Sequence, residues 1–109
     1  MKSQENFKKG AVEMVVLHLL CRRNMYGYEL VQELEKSSEG LFIIKEGTLY
    51  PSLYRMIEKK YISGSTELVG KKRTRVYYTI EEEGNKALEE MKKDYEIISK
   101  GIKNILASE

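Results

Sequence analysis

A chain of 109 residues has room for one domain with a modest core. Charged residues make up 33% and hydrophobic ones 41%, with a net charge of only +2, which fits a soluble globular protein and excludes the extreme basicity of one that coats nucleic acid. No stretch approaches the roughly 18 apolar residues of a membrane span, and the single cysteine excludes an intrachain disulfide framework.

The polar start, Met1 to Asn6, lacks a signal-type cleavage site, so a cytoplasmic chain is expected. The first element runs from about Phe7 to Arg23. Its centre, Ala11 to Cys21, is apolar nearly all round, whereas a surface helix of a small domain needs only one apolar stripe. Cover by a second subunit is therefore expected, through Val12, Val15, Val16 and Leu19. Cys21, among Leu19, Leu20 and Val16, reads as a buried structural thiol. A second helix follows from Tyr26 to about Lys36, with Tyr26, Leu30 and Leu34 at spacing four. Gly27 between two tyrosines implies close packing against a neighbour.

Ser37 to Gly40 breaks that helix, and Leu41-Phe42-Ile43-Ile44 reads as a short β-type run. Thr48 is then placed as the N-cap of a third helix, with Pro51 in its first turn. Leu49, Leu53, Met56 and Ile57 share a core-facing side. Thr48, Ser52, Arg55 and Lys59 recur at steps of four, three and four on another side. That stripe is small, polar and cationic, which suits a helix in the major groove of DNA, with Tyr50 and Lys59 near the backbone. The plain alternative is an amphipathic helix whose polar side faces water. The adjacent hairpin decides between them. Ile62 to Val69 and Thr74 to Ile80 read as two strands joined around Gly70-Lys71-Lys72-Arg73. Lys71, Lys72, Arg73 and Arg75 make this a basic wing suited to phosphate contacts. A reading helix succeeded by a basic hairpin is the winged helix-turn-helix plan.

The last element opens with Glu81-Glu82-Glu83, acids that complement a helix dipole. Leu88, Met91, Tyr95, Ile98, Ile102 and Ile105 recur at steps of three and four, a coiled-coil seam over nearly three heptads. Six such positions exceed what one small domain can cover, so pairing between subunits is expected. The charge divides along the same line. Residues 1–80 hold 14 Lys/Arg against 9 Asp/Glu, and residues 81–109 hold 5 against 8. The cationic part is compatible with a polyanionic partner on one side only. The expected class is α+β, mainly α: a winged helix-turn-helix domain over 1–80 with a C-terminal dimerisation helix over 81–109, forming one unit.

Catalytic and metal chemistry find no support. His18 and Cys21 are each the only residue of their kind, which excludes His/Cys metal clusters. A Ser-His-Asp arrangement would need His18, which lies mid-way along an apolar helix and reads as a core or interface histidine. Gly47-Thr48 has neither the spacing nor the lysine of a phosphate loop. No enzyme, cofactor or metal is expected.

Tyr26-Gly27-Tyr28-Glu29-Leu30, Gly47-Thr48-Leu49-Tyr50-Pro51 with Leu53 and Arg55, Arg73 through Tyr77-Tyr78, and Gly84 with Ala87-Leu88 together resemble the PadR family of bacterial transcriptional regulators. The resemblance spans roughly residues 10 to 90 and is similar to the subgroup with a single short C-terminal helix. Two positions depart from the family pattern. Glu81 stands where a threonine is usual, removing a hydroxyl cap, and Tyr61 stands where a glycine is common. The resemblance implies a homodimeric repressor whose two heads bind half-sites of an inverted repeat in double-stranded DNA. It also implies release by a small, often aromatic effector near the dimer interface. Some relatives carry a tryptophan there; this chain has none, and Tyr95, with Met91, takes the corresponding place. A winged-helix module that holds a protein instead of DNA is the competing reading, against which the Arg55/Lys59 stripe and the Lys71–Arg75 cluster weigh.

Overall fold

A central helix explains the apolar first element. In the computed structural model, which describes residues 8–109, the elements run α1 (Val12–Leu20), β1 (Met25–Tyr26), α2 (Gly27–Ser37), α3 (Glu46–Glu58), β2 (Ile62–Val69), β3 (Arg73–Ile80) and α4 (Glu82–Ala107). Phe7, expected to open the first helix, lies outside the described residues. Helix α1 packs against α2, α3, α4 and β3 at once. Val12, Val16, Leu17, Leu19 and Leu20 are all buried within the single chain. The expectation that Val12, Val16 and Leu19 face another subunit is thus corrected: their cover is three helices and a strand of their own chain. Only Val15 keeps part of its surface.

Helix α2 sends Leu30 and Leu34 into the same core, and α3 sends Leu49, Leu53 and Met56. Each such side chain contributes about 1.5–3 kcal/mol by leaving water. Gly27, the first residue of α2, lies under the Tyr50 ring of α3. A methyl carbon at Gly27 would stand 2.3 Å from the Tyr50 hydroxyl oxygen, so close packing there requires glycine.

Several local expectations are corrected. Leu41 to Ile44 is not a strand; Glu39 and Gly40 take left-handed backbone, and the segment crosses the surface with Ile44 buried in the core and Phe42 packed against it. The third strand is instead Met25–Tyr26, paired antiparallel to β3 as Met25↔Tyr78 and Tyr26↔Tyr77. Helix α3 begins two residues before Thr48, with Lys45 as N-cap and no side-chain cap, so Pro51 is its sixth residue and lies beyond the first turn. Ile57 is partly exposed, not core. Cys21 sits in the turn after α1, exposed, with its Sγ 3.5 Å from Asn85 Oδ1.

The three strands run in the order β1-β3-β2, with β2 and β3 paired from Ile62↔Ile80 to Val69↔Arg73. Only the base of the hairpin, at Ile62 and Tyr78, is buried; its turn at Gly70 projects into solvent. Helix α4 starts where the hairpin ends. The Glu81 N–H donates to the Tyr61 carbonyl at 2.8 Å, and a methyl carbon at Gly84 would stand 2.1 Å from the same oxygen. Glu81 provides no hydroxyl cap; its carboxylate accepts from Ser63 Oγ at 2.6 Å. Leu88 closes the core and Met91 packs on it, but Tyr95 and the residues beyond leave the body of the chain. At 26 residues α4 is about 39 Å long in a molecule whose greatest extent is 63 Å.

Candidate nucleic-acid interface

The outward side of α3 is set by what its inward side buries. Leu49, Ser52, Leu53 and Met56 are buried, which leaves Gly47, Pro51, Tyr54 and Glu58 turned away from the core. These four also recur at steps of four, three and four. They lie one residue, about 100°, round the helix from the stripe expected to face DNA. Ser52 is only 3% exposed, and its hydroxyl accepts a hydrogen bond from Arg55 Nη2 at 3.0 Å. It cannot reach a base edge. A serine reads as surface in a sequence, yet a small hydroxyl with a donor at hand is accommodated in a core. Thr48 is half-buried.

Arg55 and Lys59 are exposed but lean towards α1. Arg55 Nε is 3.5 Å from one oxygen of Glu13, and Lys59 Nζ is 3.7 Å from the other. Lys59 also lies 5.6 Å from the centre of the Tyr61 ring. Tyr54, 58% exposed, is the large side chain that the periodicity argument missed. Its spacing of four from Tyr50 was the available signal; the two ring centroids are 6.3 Å apart. Burial, followed by Glu46 and Tyr54, raises the pKa of Tyr50, so this phenol stays a neutral donor.

The hairpin meets this helix through a relay of aromatic contacts. The Arg75 guanidinium stacks 4.2 Å from the centre of the Tyr26 ring, and Tyr26 meets Tyr77 edge-on at 5.4 Å. Tyr26 immediately precedes Gly27, which carries Tyr50 and then Tyr54. Arg75 is thereby held beside the α2–α3 junction, whereas Lys71, Lys72 and Arg73 are exposed at the hairpin tip. The tip carries positive charge on flexible stems, and the fixed arginine lies nearer the helix.

Two clefts flank α4. One of about 490 Å³ opens between α1, α2 and α4, with Val15, Leu34, Phe42 and Tyr95 as apolar walls and His18, Arg22 and Lys92 as basic ones. Burial, then Lys92 and Arg22, lower the His18 pKa. His18 is exposed in this cleft and is not a core histidine. A second cleft, of about 420 Å³, holds Met91, Tyr95 and Ile98 together with Met14. Tyr95 therefore borders both, and Met91 only the smaller. Among the expected interface residues, Leu88 is buried in the chain's own core and is corrected on that ground, since a filled contact offers no surface to a partner. Tyr95, Ile98, Ile102 and Ile105 are exposed along α4. Among the described residues, no helix is long and apolar enough to cross a membrane, and no group of His, Cys, Asp and Glu is placed to hold a metal ion.

Comparison with known proteins gives the arrangement a family. Residues 16–90 match the transcriptional regulator PadR-like family. The chain is 31% identical over 102 residues to the transcriptional regulator YqjI of Escherichia coli, covering 94% of this chain but 47% of that one. It thus spans about half the length of that relative. It is also similar to the crystal structure of a PadR-like transcriptional regulator from Bacillus cereus, at 34% identity and a TM-score of 0.78, covering 95% of this chain and 99% of that one. The Bacillus subtilis PadR structure in complex with operator DNA shares the fold at a TM-score of 0.69 and 21% identity, covering 73% of this chain and 45% of that one. With four helices and a three-stranded sheet among the described residues, and a matching sequence, this chain belongs to the PadR-like family of transcriptional regulators.

Proposed function

We propose that this chain binds double-stranded DNA as a homodimeric repressor, with α3 in the major groove and the hairpin tip on the adjacent phosphates. The observation that carries this reading is the contact relay from Arg75 through Tyr26 and Gly27 to Tyr50 and Tyr54. It holds a wing cation in register with the outward side of the helix. Tyr54 and Arg55 read base edges, Thr48 and Tyr50 lie at the flank, and Lys59, Lys71, Lys72, Arg73 and Arg75 meet phosphates. The Bacillus subtilis relative seen with operator DNA supports the assignment.

The second head comes from a second copy. Tyr95, Ile98, Ile102 and Ile105 form an apolar stripe that stays exposed among the described residues. Closing such a stripe against its twin contributes about 1.5–3 kcal/mol per fully buried side chain. Met91 and Val15 lie at its inner end. Two heads so joined bind half-sites of an inverted repeat. The clefts beside Tyr95 suit a small aromatic effector, and the larger one sets Arg22 and Lys92 against Glu96 around its apolar walls.

Selection of bound duplexes from a random pool, with footprinting of the purified protein, tests the proposal. Recovery of an inverted repeat with two protected half-sites is expected. A protein that enriches no sequence and shows no salt-dependent affinity for duplex DNA would refute it and favour the protein-binding reading.

A further inference from the structure

The cations flanking α3 are already occupied. Glu13 projects from α1 with its side chain 17% exposed, while Arg55 and Lys59, which it pairs, are 53% and 50% exposed. The carboxylate is thus the more buried member and the cations are the more exposed ones. Its two oxygens are divided between them, one 3.5 Å from Arg55 Nε and the other 3.7 Å from Lys59 Nζ. Arg55 is further held by its hydrogen bond to the buried Ser52 hydroxyl. These pairs are long and half-solvated, so a phosphate oxygen can exchange with the carboxylate. The hairpin tip differs: among the described residues, Lys71, Lys72 and Arg73 form no ion pair.

We propose that Glu13 is a specificity-determining residue that acts through Arg55 and Lys59. By sharing its one negative charge between them, it offsets half of their combined charge and holds both side chains back from DNA that merely passes the surface. Only a duplex that fits α3 closely brings a base edge or phosphate near enough to displace the carboxylate. Random DNA is then held mainly by the hairpin tip, and the affinity gap between operator and random sequence widens. The inference rests on the DNA-binding reading above. It adds a residue on α1 that touches no DNA.

Binding to a random duplex, measured by fluorescence anisotropy across a salt series, tests it. Glu13→Gln keeps the shape of the side chain and removes its charge. Removing one negative charge should steepen the slope of log affinity against log salt by about 0.9 per chain. Random-duplex affinity should rise about tenfold at low salt, and affinity for the selected operator should rise less. Adding Lys59→Gln to Glu13→Gln restores the net charge of the parent and should return the slope to that of the parent. An unchanged slope in a Glu13→Gln protein that melts like the parent would overturn the proposal. So would weaker binding by that variant, which would make the carboxylate a support for Arg55. A parent that binds no duplex at any salt would instead sink the DNA-binding reading itself.

Discussion

Two glycines of α4 should respond to the same substitution with opposite signs. A methyl carbon at Gly84 would lie 2.1 Å from the Tyr61 carbonyl oxygen and 2.9 Å from Ile80 Cγ1, whereas one at Gly101 would meet nothing within 4 Å. Ordinary contact needs more than 3 Å, so Gly84→Ala must shift backbone by about 1 Å. Overpacking of that kind costs about 1–3 kcal/mol. The same shift strains the hydrogen bond from the Glu81 N–H to that carbonyl, a bond contributing about 0.5–1.5 kcal/mol. Against this stands the better helix propensity of alanine, about 1 kcal/mol at most. The net effect is a destabilisation of about 1–3 kcal/mol, which lowers the melting midpoint by about 5–20 °C for a chain of this size. Gly101→Ala has only the favourable term and should hold or raise the midpoint. Thermal melts monitored by far-UV circular dichroism, at one protein concentration, compare the two. If Gly84→Ala melts at or above the parent temperature, the packing of α4 on the root of the hairpin is wrong.

Other substitutions separate surface from core. Ile98→Glu charges an exposed position and should leave the fold intact while giving monomers in sedimentation; a variant that still sediments as a dimer contradicts the stripe. Lys72→Glu combined with Arg73→Glu should weaken binding to all duplexes and flatten the salt slope by about 1.8 or more per chain, and an unaltered slope removes the tip from the phosphate backbone. Tyr54→Ala should change DNA affinity or preference with no loss of melting temperature, since the ring supports no core; an unaffected operator affinity returns the reading role to other residues. His18, with its pKa held below the ordinary value near 6.5, binds fewer protons in the folded chain than in the unfolded one. Its contribution to stability is therefore complete above about pH 6.5 and declines as pH falls through the folded pKa. His18→Gln should remove that part of the decline, and an identical fall in both proteins would assign it elsewhere.

The sequence was most informative where one physical demand dominated. Leu30, Leu34, Leu49, Leu53 and Met56 had to leave water, and their helical spacing placed them in the core, whereas Leu88, expected between subunits, is buried in the same core. Gly27 announced a close approach that Tyr50 makes. The hairpin was legible from its turn and alternation. Expectations failed where a residue had two acceptable environments. Ser52 suited both surface and interior, and the fold buries it with Arg55 as its donor, so the outward side of α3 lies one residue round from the expected stripe. Val12, Val16 and Leu19 showed that α1 needed cover without showing which part of the chain supplied it. Leu41 to Ile44 had β-forming side chains, but two left-handed residues before it and the pairing of Met25–Tyr26 with β3 left it outside the sheet. Glu13 carried no local signal at all, because its partners lie 42 and 46 positions away in the sequence.

The division of α3 bears on how such regulators diversify. Leu49, Ser52, Leu53 and Met56 carry its attachment to the domain, while Gly47, Pro51, Tyr54 and Glu58 face outward. Inheritance can therefore alter the second set with little penalty from the first. A duplicated gene could drift to a new operator through a few outward substitutions, with the core and the α4 stripe left as they were. The stripe would then remain common to both copies. If the stripe pairs two copies as proposed, parent and duplicate would still recognise each other and form mixed dimers that read two different half-sites. Insulating the copies would require change on α4, so the address on DNA and the choice of partner can evolve on separate helices.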